Sequence, residues 1–84
     1  MPVIARFYGI IIKMYFSQKE HNPPHLHAIY GDYVGVIDIR TGEMLEGDLP
    51  PKALSMVREW ISINRKELLG IWNTQEFTTL PPLE

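Results

Sequence analysis

The chain has 84 residues, with eight basic and ten acidic side chains, a net charge of −2 and 45% hydrophobic residues. This balance predicts one packed domain over residues 1–84 and excludes a disordered chain. The negative charge offers no general attraction to phosphate backbones or anionic lipid, so nucleic acid is not supported as a partner. With no cysteine, disulfides and thiolate chemistry are excluded, and a metal site would have to use imidazole, carboxylate or backbone oxygen.

The opening Met1-Pro2-Val3-Ile4-Ala5-Arg6 lacks the order of a signal peptide, and the apolar run Ile10-Ile11-Ile12 stops at Lys13. A cytoplasmic protein with no membrane span is therefore expected. From residue 3 to 16 β-branched and aromatic residues dominate around Gly9, which predicts two strands or one strand bent there. Ile10, Ile12, Met14 and Phe16 then share one face, with Ile11, Lys13 and Tyr15 opposite. Residues 17–24 contain two prolines and cannot continue a central strand, because each proline removes a ladder donor. Residues 26–30 and 33–39 read as a hairpin closed by Gly31-Asp32, with Gly31 able to supply the positive φ of a type II′ turn. Asp38 and Arg40 are expected to alternate on the second of these strands, and Arg40-Thr41-Gly42-Glu43 to turn the chain into a short strand at 44–46.

After Leu49-Pro50-Pro51 the apolar period changes to three and four. Leu54, Val57, Trp60 or Ile61, Asn64, Leu68 and Ile71 predict a helix over about 50–72, with the prolines in its first turn and Asp48 or a neighbour as its cap. Gly70 weakens the helix end, and residues 73–84 are expected to be irregular. Trp72 and Phe77, near that end, are candidates for an exposed aromatic patch. Arg58, Arg65 and Lys66 read as the wet face of the helix, and Glu43, Glu46 and Asp48 as a solvated acidic edge. The expected fold class is α+β: about five strands in antiparallel hairpins over residues 3–47, with one long C-terminal helix packed on one face of the sheet.

All three histidines lie in His21-Asn22-Pro23-Pro24-His25-Leu26-His27, and this clustering makes the segment the candidate site. His25 and His27 are two residues apart at a strand start and point to one side, while His21 can return over them from the loop. Pro23 and Pro24 restrict the backbone and push Asn22 toward extended conformations, which lowers the entropy lost when the imidazoles converge. Three neutral imidazoles suit a divalent ion such as zinc with one position open to water, although the spacing is not an established zinc pattern. Alternatively, one histidine serves as general acid or base, with Lys13 or Arg40 steadying developing negative charge and Asp38 orienting the ring. The plainer alternative is structural: His25 and His27 hydrogen-bond loop carbonyls and Asn22 caps a turn. If the histidines are exposed, replacing one should cost only ~0.5 kcal/mol, against about 3–5 kcal/mol for truncating Trp60 in the core.

Taken together, Phe7-Tyr8-Gly9-Ile10-Ile11-Ile12-Lys13-Met14-Tyr15-Phe16, the segment from His21 to His27, Tyr30-Gly31-Asp32-Tyr33, Val36-Ile37-Asp38-Ile39, Leu45-Glu46-Gly47-Asp48-Leu49-Pro50 and a helix bearing Trp60 resemble a small bacterial family catalogued as domain of unknown function 4160. The resemblance assigns no catalytic role. It implies a small stand-alone protein encoded beside a second small protein, hence a protein-binding component of a toxin-antitoxin-like pair; a homo-oligomer is the other partner arrangement. A histidine-dependent nuclease or hydrolase, with or without metal, is the alternative function.

Overall fold

The computed structural model describes residues 3–14, 24–74, 76 and 78–83. Five strands, β1 (Val3–Phe7), β2 (Ile10–Lys13), β3 (His25–Tyr30), β4 (Tyr33–Asp38) and β5 (Met44–Gly47), precede one helix, α1 (Pro51–Thr74). The strands lie in the order β1-β2-β3-β4-β5, and every neighbouring pair is antiparallel. This meander needs only hairpin connections and one return to the helix. The fold is the α+β arrangement expected from the residue pattern.

Turn chemistry sets the β1–β2 and β3–β4 hairpins. Tyr8 and Gly9 connect β1 to β2 with φ of 49° and 79°, two successive left-handed residues as a type I′ turn requires, so the segment forms two strands. Gly31 takes φ of 60° while Asp32 stays at negative φ, the pattern of the expected type II′ turn. Beyond β4 the register shifts between Val36 and Ile37. Gly47 closes β5 at φ 84°, where a Cβ would stand 2.0 Å from the Val34 carbonyl oxygen. Only glycine fits that approach.

The core lies between one sheet face and α1. Phe7, Ile10, Ile12, Met14, Leu26, Ala28 and Ile37 meet Ala53, Val57, Trp60, Ile61, Leu68, Ile71 and Trp72 in one buried cluster. The expected apolar face of β2 is correct for Ile10, Ile12 and Met14, all fully buried, while Tyr15 and Phe16 fall outside the described residues. On the helix both Trp60 and Ile61 are buried and Ala53 replaces the half-buried Leu54 at the first contact. Phe7 and Trp60 stack with ring centroids 5.6 Å apart. Asn64 is buried and donates from Nδ2 to the Trp60 carbonyl at 3.1 Å, which satisfies its amide within the helix.

Pro51 occupies the first helical position, and the Pro50 carbonyl accepts the first intrahelical bond from Leu54 at 2.9 Å, so the prolines sit where a helix tolerates them. The Asp48 N–H donates to Val34 O at 3.0 Å, which extends the β4–β5 ladder. The helix continues through Gly70 to Thr74, two residues beyond the expected end. Burying Ile71 and Trp72 outweighs the ~1 kcal/mol that glycine costs inside a helix. The described tail residues are irregular, as expected, yet docked: Trp60 Nε1 donates to Pro81 O at 2.8 Å, and Leu80 N to Ile4 O at 2.8 Å. The second bond places the tail on the outer edge of β1, which occupies an otherwise open strand edge.

Three local expectations are corrected. β4 ends at Asp38 and Arg40 lies in the following turn, exposed, because the Asp38 side chain draws the chain into that turn. Trp72 is only 4% exposed, so it is a core residue and not part of an exposed aromatic patch; Phe77 lies outside the described residues. Arg65 is half-buried and donates from Nε to Ile39 O at 2.9 Å, tying the helix to the turn after β4, and so does not belong to the wet face.

Candidate functional site

The sheet register assembles most of the site on the face opposite the packed core, with the end of α1 reaching its flank at His25 through Trp72. Lys13 pairs with His27, His27 with Val36, and Val36 with Glu46. Directly paired residues of antiparallel strands project to the same side, so Lys13, His27, Val36 and Glu46 form one transverse row. Arg6, Ile11, Ile29 and Val34 form the row toward the hairpin ends. On the other flank His25 pairs with Asp38. Of the residues singled out in the sequence, Lys13, His25, His27 and Asp38 are thus brought to one surface. His21, Asn22 and Pro23 lie outside the described residues.

His25 and His27 share a side as their spacing predicts, with ring centroids 5.6 Å apart and planes at 61°. Their surroundings differ from the exposed loop expected. His25 is 9% exposed and packs against Trp72 with centroids 5.0 Å apart, while His27 is half-buried. Burial arises because β3 begins at His25 itself, and because the Pro24 carbonyl accepts the Ile39 N–H at 2.9 Å, which holds the entry to β3 against β4. Pro24 is buried as well.

Electrostatically, the His27 imidazole is held below the ordinary histidine value of 6.5, first by burial and then by the neighbouring His25, with Glu46 acting in the opposite direction. A ring so placed is neutral near pH 7, able to accept a proton or to ligate a metal through nitrogen. Asp38 is 9% exposed, and its Oδ1 accepts the Arg40 N–H at 2.7 Å and the Thr41 N–H at 3.2 Å. The Asp38 backbone closes the same turn, accepting from Gly42 N and donating to Glu43 O, both at 2.8 Å. This carboxylate therefore organises a turn at the flank of the histidine face. Among the described residues no group of three or more His, Cys, Asp or Glu side chains is arranged to hold a metal ion.

Two neighbours of the histidines were missed in the sequence. Trp72 looked like part of a frayed end. Glu46 reaches the His27 row only through the bulge that separates the Val36–Glu46 pair from the Ile37–Met44 pair, and alternation alone does not carry register across a bulge.

A family model described as Domain of unknown function (DUF4160) matches residues 9–73. No curated protein and no solved structure matches the chain. No helix is long and apolar enough to cross a membrane among the described residues.

Proposed function

This chain belongs to the DUF4160 family, and from the chemistry of its helix-free sheet face we propose that it is a protein-binding component of a two-protein, toxin-antitoxin-like module. The observation that carries the reading is the apolar content of that face. Ile11, Ile29 and Val36 are half-buried there, and Val34 and Leu45, on and beside it, are each 46% exposed. Contiguous apolar side chains rimmed by charge are the composition of a protein interface. Arg6 and Lys13 stand on the β1–β2 side and Glu46 on the β5 side, so the occupant is a small protein with an apolar patch and the opposite charge gradient. The partner encoded alongside, implied by the family resemblance, fills that role. Co-expression with the neighbouring gene product and size-exclusion chromatography test it: co-elution as a stoichiometric complex supports the reading, and two separate monomers contradict it.

A second reading, a histidine-dependent nuclease or hydrolase, is favoured by one observation, the neutral His27 ring beside Lys13 in the same row. There His27 would act as the base and Lys13 would steady developing negative charge, with Arg40 as the other candidate cation. Zinc on His21, His25 and His27 belongs to this reading, since rings 5.6 Å apart can both reach one ion at the ~2.0–2.1 Å Zn–N distance. Elemental analysis of the parent and of His27→Gln separates the cases: metal lost with His27 supports a centre, and equal or no metal removes it.

A further inference from the structure

A concave surface lies between the turn after β4 and the outer flank of α1. Its volume is about 460 Å³, and its walls include Thr41, Gly42, Leu54, Ser55, Arg58 and Arg65. Both walls are fixed. The turn is closed by the Asp38 hydrogen bonds already described, and the Arg65 Nε bond to Ile39 O, 2.9 Å long, joins it to the helix. That bond occupies only Nε, and the two terminal nitrogens of the guanidinium keep further donors. Arg58 lies over the turn, its Nε 3.5 Å from where a Gly42 Cβ would be, within ordinary contact distance. The helix places Arg58 and Arg65 seven residues, two turns, apart on one flank.

We propose that this groove binds a small organic oxyanion, a carboxylate or phosphate carried on a compact apolar body. Two guanidiniums give directed donors of the geometry that carboxylates and phosphates prefer. Leu54 and Pro51 supply the apolar wall, and Glu59, also lining the groove, leaves the site one positive charge in excess and accepts a hydrogen bond from a donor on the same ligand. The Ser62 hydroxyl donates to Glu59 O at 2.7 Å and so presents only acceptor capacity. The two guanidiniums, with Ser55 and Thr41, therefore define the anion end.

The test is an NMR titration of the full-length chain at constant ionic strength with two probes, phenyl phosphate and benzoate. Saturating shifts confined to the Thr41, Gly42 and Ser55 amides and the Arg58 and Arg65 side-chain N–H groups are expected. Arg58→Gln should weaken binding about tenfold or more, the scale of one charge-assisted hydrogen bond, whereas Lys66→Gln should leave it unchanged. Arg58 is exposed, so its replacement does not endanger folding. The tighter probe identifies the anion class. Shifts that do not saturate with either probe, or equal binding in Arg58→Gln and the parent, overturn the proposal.

Discussion

Replacing His25 by alanine is expected to cost far more than an exposed loop residue would. The imidazole is 9% exposed and its centroid is 5.0 Å from that of Trp72, with planes at 57°. Such a pair contributes ~0.5–1.5 kcal/mol beyond simple burial, and loss of the buried ring adds about 1–2 kcal/mol. The total is about 1.5–3.5 kcal/mol. A chain of 84 residues has about 4–13 kcal/mol of stability in all, so the loss is a substantial fraction and should lower a urea midpoint by about 1–3 M. A double-mutant cycle of His25→Ala and Trp72→Ala, followed by urea unfolding at pH 8, isolates the coupling, expected at about 0.5–1.5 kcal/mol. A cost below ~0.5 kcal/mol for His25→Ala with no coupling to Trp72 would refute the packing argument and restore the exposed-loop expectation.

Gly47→Ala should destabilise by about 1.5–3.5 kcal/mol: its φ of 84° costs an L residue ~1–2 kcal/mol, and a Cβ 2.0 Å from Val34 O displaces the Asp48 N–H bond to that oxygen, worth ~0.5–1.5 kcal/mol. Urea melts with hydrogen exchange read both effects, and β5 amides should lose protection first. Tyr8→Asn should stabilise by about 0.5–1 kcal/mol, because Tyr8 is 61% exposed and held at φ 49°, where asparagine is far better tolerated; an unchanged or lower thermal midpoint contradicts this. His27 is depressed below 6.5 in the fold, so between that lowered value and 6.5 the unfolded chain binds a proton that the native state does not. Its contribution is therefore present in full above about 6.5 and lost as pH falls through this window. Urea midpoints from pH 8 to 5 should fall less steeply in His27→Gln than in the parent, and identical slopes contradict the assignment.

Much of the fold was legible because its signals are local. Alternation in residues 10–14, the Gly31-Asp32 turn and the three-and-four spacing after Pro51 each describe neighbours in the chain, and the strands and helix follow them. The face shared by Lys13, His25 and His27 was legible for the same reason, since pairing of β2 with β3 is regular throughout. What was not legible depends on contacts distant in sequence. Trp72 is buried by a residue 47 positions earlier, His25, while Gly70 and the prolines beyond it suggest a frayed end. Arg65 carries no local mark of its bond to Ile39, and Glu46 joins the histidine row through a bulge. Asp38 had a local signal that was passed over: a short carboxylate two and three residues before Arg40 and Thr41 is an Asx-turn acceptor, and that preference overrode the strand alternation expected through Arg40.

The central claim, that the helix-free face of the sheet is the partner surface, is tested most directly by calorimetric titration of the neighbouring gene product into the parent, Val34→Asp and Ile63→Asp. Val34 lies on that face and is 46% exposed, and Ile63 lies on α1 and is 64% exposed. Both substitutions are tolerable for folding, and each places one charge on one surface. The account predicts that Val34→Asp weakens binding about 30-fold or more, as for an interface residue contributing ~2 kcal/mol, while Ile63→Asp binds like the parent. Undiminished binding by Val34→Asp together with loss in Ile63→Asp would contradict it and move the interface to the helix.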